Sequence, residues 1–556
     1  MPERILIGVA WPYANGPIHQ GQLSGAYLPP DIFARYHRTA GNHVLMVSGS
    51  DQHGTPITVR AEREGRTPQE VVDEFHRSFL ETWAGMGITF DLFTTTGTEN
   101  HRRVVQDFFL KLLGQGYIEP GTQSLWYCET DRRFLLDRYV EGVCPYCGYD
   151  GARGDQCDNC GRTLDALQLI NPRCRFCGNP PVVRESEHYF LRLSKLKERL
   201  LAWLRDDKEH WRRNVLNFSI GVLQDDELPD RAITRDILWG VPAPVPGFEQ
   251  KRIYVWFEAV IGYLSASMEW AQRQGDPDAW RAWWQNPDAK MYNFIGKDNI
   301  YFHTIVWPGM LMAYGGLNLP YDVPANQYVT MAGAKASTSR NMAVWIPDYL
   351  TRYDPDPLRY YLAATMPETS DSEFSWSEFV RRNNDELLAT WGNLVNRTLT
   401  FTYRNFEGRV PEPGVLTELD RALLARAEQG LAETGEHLRW CRFRAGLSAA
   451  MELAREANQY LEQTAPWKSL RTDRPAASRA LYTVISVIGA LRTALYPYLP
   501  FTCARLHAML GEEGTIEARG WRFTPATPGA ALRQPEPLFK KLEPSIVAEE
   551  EGRLGA

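Results

Sequence analysis

Apolar and polar positions fall in repeating blocks along the chain. Arg4 to Ala10 (RILIGVA) is a near-continuous apolar run of the buried-strand type; a loop with Pro12, Asn15, Gly16 and Pro17 follows, then helix-spaced apolar positions through Tyr36. The block recurs as a strand from His43 to Val47 and a polar loop holding Asp51 and His53 at its carboxyl end. After a cysteine-rich stretch, IYVWFEAVIGYL (Ile253 to Leu264) and MYNFIGKDNIYFH (Met291 to His303) each read as an aromatic-rich strand brought to a polar edge. Such repeats predict an α/β fold with a parallel sheet and ligands at the carboxyl ends of its strands. From about Asn384 to Leu510 the pattern changes to long amphipathic helices, which predicts an all-α bundle. The tail from about Pro525 is expected to be loosely ordered at its end.

Length and composition narrow the picture. A chain of 556 residues exceeds what one core usually supports, so two to four domains are expected. The apolar stretches are shorter than a membrane helix needs, and the first residues lack a signal-peptide pattern, so a soluble, cytoplasmic protein is expected, with no membrane partner. The net charge of −7 neither advertises nor excludes a nucleic-acid partner, since a large enzyme can carry one local basic face.

Seven of the nine cysteines lie between Cys128 and Cys177, while Cys441 and Cys503 stand alone in apolar helical sequence, as core residues do. CPYCGYDGARGDQCDNCG places Cys144, Cys147, Cys157 and Cys160 in two C-x2-C knuckles, a Zn²⁺ pattern that tight spacing and a reducing cytosol favour over disulfides. Cys174 and Cys177 form a third knuckle whose partner segment offers Cys128 and then Asp131; this is either a Cys3Asp zinc site or an empty one. Zinc here is expected to be structural, replacing the core that a short insertion cannot build.

No phosphate loop of the G-x-x-x-x-G-K-[ST] type and no G-x-G-x-x-G follows a strand. His19 and Gly21 instead sit at a helix start, where backbone donors favour phosphate, although a lone histidine there is more often a cap or a surface residue. GAKASTSRN, Gly333 to Asn341, is a small-residue loop with Lys335, Thr338 and Arg340, which by itself reads as a solvated loop.

Together these segments resemble a known family. HQGQ (His19 to Gln22) is similar to the HIGH signature of class I aminoacyl-tRNA synthetases, and KASTS (Lys335 to Ser339) to their KMSKS loop. In order, WPYANG, VSGSDQHGTP, the zinc knuckles, YVWFEAVIGY, FIGKDNIYFH, KASTSRN, RYDPDPLRYYL, NNDELLATWGNLVNR and APWKSL resemble the methionyl-tRNA synthetase family over roughly Ile5 to Leu510. Two positions depart from the family pattern: Gln22 replaces the second histidine and Thr338 the second lysine.

The resemblance implies a Rossmann-like catalytic domain in two halves (1–116 and 233–325), split by a zinc-bearing connective insertion (117–232). A KMSKS-like and stem-contact region (326–383) and a helical anticodon-binding domain with its tail (384–556) follow. It implies ATP-dependent activation of L-methionine and transfer to tRNA(Met), with Mg²⁺ accompanying ATP. His19, Gly21, Gln22, Lys335 and Thr338 would carry the phosphate chemistry, with Gln22 a neutral donor in place of an imidazole. Gly296, Asp298 and Val329 would hold the adenosine. Asp51 would take the substrate ammonium, with Ala10, Trp11, Tyr13, Trp256, Tyr263, His303 and Trp307 around the side chain; Trp256 and Trp307 taken singly read better as core aromatics. Asn393, Arg397 and Trp467 would read the anticodon. The altered signatures raise two alternatives, a tRNA-independent enzyme of the hydrazine-forming type and a catalytically silent tRNA-binding paralogue. The absence of an appended dimerisation domain leads to the expectation of a monomer.

Overall fold

The structure is a computed structural model that describes residues 2–554 apart from 136–138, 155–156, 158, 161, 163, 225–227, 332–333 and 336–342, and describes 334–335 in backbone only. Thr338 and Arg340 therefore lie outside the described residues, as does the side chain of Lys335.

The apolar run near the N-terminus becomes the strand Arg4–Val9, buried from Ile5 onward at the centre of a parallel sheet. On one side it pairs with His43–Ser50, which in turn pairs with Leu92–Thr95; on the other it pairs with Lys290–Gly296, flanked by Pro320–Asp322 and Ala325–Asn326. The register Gly8↔Val47 and Gly8↔Asn293 aligns the three central strands, so their carboxyl ends form one edge. Central strands buried on both faces read as continuous apolar sequence, as this one does.

One element differs from the sequence expectation. YVWFEAVIGYL is not a strand: only Arg252–Ile253 is extended, and Val255–Arg273 is a helix. The reason is burial on nearly every side. Thirteen of its nineteen residues are buried, so the helix shows no polar face, and period alone cannot tell such a run from a core strand.

Between Leu92–Thr95 and that helix lies the insertion. A long antiparallel hairpin pairs Ile118–Cys128 with Val182–Leu191, and at its tip Val140–Val143, Asp150–Arg153 and Ile170–Cys174 form a small sheet around the cysteines. Beyond the sheet, Asn393–Asn405, Glu418–Arg439, Phe443–Thr464 and Arg474–Leu495 form the expected helical bundle. Thr417 starts the second of these with a reciprocal capping box to Asp420.

The tail is docked rather than loose through residue 554. Asn384 exchanges hydrogen bonds with Leu542, and the helix Ser545–Glu551 places Glu550 on Arg352 at 2.8 and 2.9 Å and on the Tyr353 hydroxyl at 2.8 Å. Glycine, proline and acidic residues predict a frayed end only when they lack partners; here a buried carboxylate has two.

Candidate active site

Along the sheet the chain runs outward from Arg4–Val9 through His43–Ser50 to Leu92–Thr95, then returns on the other flank with Lys290–Gly296. That reversal opens a crevice at the carboxyl ends of the strands, the usual ligand position in such sheets. Three loops leave the strands there and carry Ala10 to His19, Asp51 to Gly54, and Gly296 to Asn299.

At one end of the crevice, His19 is the cap of a continuous helical run made of Gln20–Gln22, a π-helical turn Leu23–Tyr27 and Leu28–Thr39. Its Nδ1 accepts the Gly21 N–H at 3.1 Å and the Gln22 N–H at 3.4 Å, while Gln22 Oε1 accepts the His19 N–H at 3.1 Å. Because Nδ1 is an acceptor, the neutral ring carries its proton on Nε2, which is then the nitrogen able to donate to a ligand. Gln22 uses its oxygen as the acceptor on the cap, which leaves its NH2 group as the end that can meet a ligand, as a donor.

At the other end, Asp51 is almost fully buried, its main chain joined to the opposite loop by Asp51 N–H to Pro12 O at 2.8 Å and Ala14 N–H to Asp51 O at 2.9 Å. Its side chain accepts the His53 N–H at 3.1 Å. Burial, helped by the nearby Glu258 carboxylate, pushes the Asp51 carboxyl up to about 8. Glu258 has no exposed surface and binds His53 Nδ1 at 2.7 Å, which holds that imidazole above its ordinary range even though burial works against its charge. Sequence reading passed over this pair; the signal was a lone acid in the otherwise apolar run VWFEAVIGYL.

Aromatic rings wall the space beside Asp51. Trp11 lies in a slot made by two glycines, where a Cβ on Gly49 would come within 2.3 Å of its ring and one on Gly262 within 2.7 Å. Tyr13 meets Trp256 edge to face at 6.3 Å, and Trp256 stacks on Phe302 at 4.5 Å. The Tyr263 hydroxyl donates to His303 Nε2 at 2.8 Å while His303 Nδ1 donates to Asn299 O at 2.9 Å, one consistent tautomer, and burial lowers that imidazole to about 4. Trp307 has no exposed surface and packs on Trp284 and Phe108 behind Tyr263; Ala10 is tied to Phe294 O at 3.0 Å.

Gly296 ends its strand with open space where a Cβ would stand, and Asp298 in the following turn accepts a hydrogen bond from the Tyr328 hydroxyl. Val329 is buried on the strand Val329–Met331, which pairs with Ala334–Lys335.

The cysteine sets are formed. Sγ atoms of Cys144 and Cys160 lie 3.9 Å apart and those of Cys147 and Cys157 3.6 Å, close to the roughly 3.8 Å edge of a tetrahedron with Zn–S bonds of about 2.3 Å. Cys128, Asp131, Cys174 and Cys177 likewise converge, with Cys128 and Cys177 Sγ at 3.4 Å, Cys174 Sγ to Asp131 Oδ2 at 3.0 Å and all four ligand atoms within 4.8 Å of one another. Both donor sets fit one tetrahedral ion each.

In the bundle, Asn393 and Arg397 are exposed one turn apart on Asn393–Asn405, and the Arg397 guanidinium lies 4.7 Å from the Trp467 ring centroid and 2.7 Å from Glu462. Ala465, at φ +40°, reverses the chain so that Pro466 and Trp467 start a new turn beside them.

Two family models match the chain, tRNA synthetases class I (M) over residues 5–399 and the anticodon binding domain of methionyl tRNA ligase over residues 410–556. The methionine–tRNA ligase of Dehalococcoides mccartyi (strain BAV1) is 56% identical over 555 residues, covering 100% of both chains, and that of Thermomicrobium roseum is 53% identical over 581 residues, covering 100% of this chain and 99% of its own. Among solved structures, a Mycobacterium tuberculosis methionyl-tRNA synthetase in complex with methionyl-adenylate is similar at a TM-score of 0.80 and 26% identity, over 97% of this chain and 100% of that one. With matches of this extent over both its catalytic and its helical parts, the chain belongs to the methionine–tRNA ligase family of class I tRNA synthetases.

Proposed function

We infer that the chain is a methionine–tRNA ligase acting in two steps. The methionine carboxylate attacks the α-phosphate of Mg-ATP and expels pyrophosphate; the terminal ribose hydroxyl of tRNA(Met) then attacks the carbonyl of the adenylate and expels AMP. The observation that carries the reading is the crevice itself, where one seam of the sheet joins a buried carboxylate, an aromatic slot and a histidine-capped helix start.

No protein nucleophile is needed, so catalysis is positioning and charge stabilisation. Asp51 takes the ammonium and the Tyr263–His303 pair closes the side-chain slot. His19 Nε2–H and the Gln22 NH2 group meet phosphate oxygens, with Gly21 leaving room for the nucleotide; Lys335 and Thr338, by the family resemblance, act on the same phosphates, and Gly296, Asp298 and Val329 hold the adenosine. Asn393, Arg397 and Trp467 bind the anticodon as one amide, one guanidinium and one ring. Zinc in the Cys144 set, and a second ion in the Cys128 set, supply folding energy to the insertion. The protein acts as a monomer in the cytoplasm; no helix among the described residues is long and apolar enough to cross a membrane.

The match over residues 410–556 favours the ligase over the tRNA-independent and silent alternatives, neither of which needs a complete anticodon domain together with this crevice. Methionine-dependent ATP–pyrophosphate exchange followed by tRNA(Met) charging tests all three. Exchange with charging is expected; exchange without charging would support the first alternative, and tRNA binding without exchange the second.

A further inference from the structure

Gln20 is buried, with 0% exposure, in the turn directly behind His19. It grips one residue of a distant segment twice: its N–H donates to Val344 O at 3.0 Å, and its side-chain Oε1 accepts the Val344 N–H at 2.8 Å. The grip lies within a short antiparallel pairing. Ile346 N–H donates to Ile18 O at 2.9 Å, and His19 bridges Trp345, the two rings meeting edge to face at 5.9 Å. Behind this segment Arg352 is held between Asp348 at 2.6 Å and the tail carboxylate of Glu550 at 2.8 Å, so the wall carrying Trp345 is backed from both sides.

Helix capping does not explain this glutamine, because His19 and Gln22 cap each other. Nor does stability alone, because the bond that Oε1 makes to the Val344 N–H is offset by Nε2, which is buried without a hydrogen-bond partner among the described residues. We propose that Gln20 is a positioning residue for the phosphate chemistry of His19. By holding Val344 through its side chain as well as its main chain, it fixes Trp345 against the imidazole and so sets the direction in which Nε2–H points. The proposal rests on the reading of His19 as a phosphate contact.

Gln20→Met keeps the volume and removes the acceptor; Trp345→Ala removes the wall from the other side. In methionine-dependent pyrophosphate exchange per titrated active site, each should lower kcat, Gln20→Met by roughly three- to tenfold, the worth of one neutral hydrogen bond. KM for methionine should not change, and the Tm of Gln20→Met should change little, because the Val344 N–H left without its acceptor is offset by removal of the unpaired Nε2. Because both act through one ring, the double variant should be no slower than the slower single variant. A Gln20→Met protein with unchanged kcat, or one that fails to fold or melts markedly earlier, would overturn the proposal, as would effects that multiply in the double variant. Absence of exchange in the unaltered protein would instead defeat the ligase reading, which separates the two failures.

Discussion

At the scale of single residues, the most informative group is Asp51. A carboxyl pushed up to about 8 by burial is mostly protonated at neutral pH until a cation arrives, so binding an ammonium must release that proton. The sign follows: affinity for methionine should be full above pH 8 and weaken as pH falls below it, by up to about tenfold per unit. Titration of tryptophan fluorescence with methionine between pH 6 and 8.5 checks this, and Asp51→Asn should lose both the affinity and its pH dependence. An affinity that is flat over that interval would remove Asp51 from the ammonium site. His303 behaves in the opposite way, since burial keeps it neutral across the same range and the Tyr263–His303–Asn299 chain holds one tautomer throughout.

At the scale of elements, π-helical turns fall next to positions proposed for the site. Leu23–Tyr27 follows the His19 turn, Phe302–Val306 holds His303, and Arg382–Gly392 leads into Asn393. Such turns rotate the side chains that follow and recur at functional sites, and no residue pattern in the sequence announces them. Arg397 and Trp467, far apart in sequence, meet because Ala465 turns the chain back; Trp467→Ala should spare pyrophosphate exchange and weaken tRNA charging by about 1–3 kcal/mol, the worth of a base stack. Equal damage to both activities would withdraw the anticodon assignment. In the insertion, Cys144→Ser should release zinc, measured by metal analysis, and melt the knuckle sheet, measured by loss of amide protection there. The cysteine spacing and the strand at Arg4–Val9 were legible because metal ligands and buried strands leave local patterns. The helix at Val255–Arg273 was not, since an element buried all round loses the polar face that reveals its period. His53–Glu258 and Gln20–Val344 were equally hidden, because each joins segments more than 200 residues apart.

At the scale of the whole molecule, the sheet and the bundle are joined through a fully buried carboxylate. Asp31 accepts Arg35 Nε at 2.9 Å and Arg359 Nη2 at 2.6 Å, while Arg359 also reaches Tyr498 O and Pro497 O, both at 2.9 Å, and Met86 O at 3.0 Å. Asp31→Ala would leave two buried guanidinium groups without their carboxylate, a loss of about 3–5 kcal/mol. Calorimetry should then show the bundle and the sheet melting apart, where the unaltered protein is expected to melt in one transition; a single unshifted transition in the variant would disprove the coupling. The pairing of Arg4–Val9 with Lys290–Gly296 has a further consequence, for how the protein is made. During synthesis the first strand can find His43–Ser50 early, but its other edge stays open until some 240 more residues have emerged, roughly 12 to 50 s at ordinary translation rates. For that interval the nascent chain exposes an apolar strand edge, the kind of surface that chaperones bind and that aggregates when they do not. The crevice that makes the enzyme is thus also the seam at which its birth is most exposed.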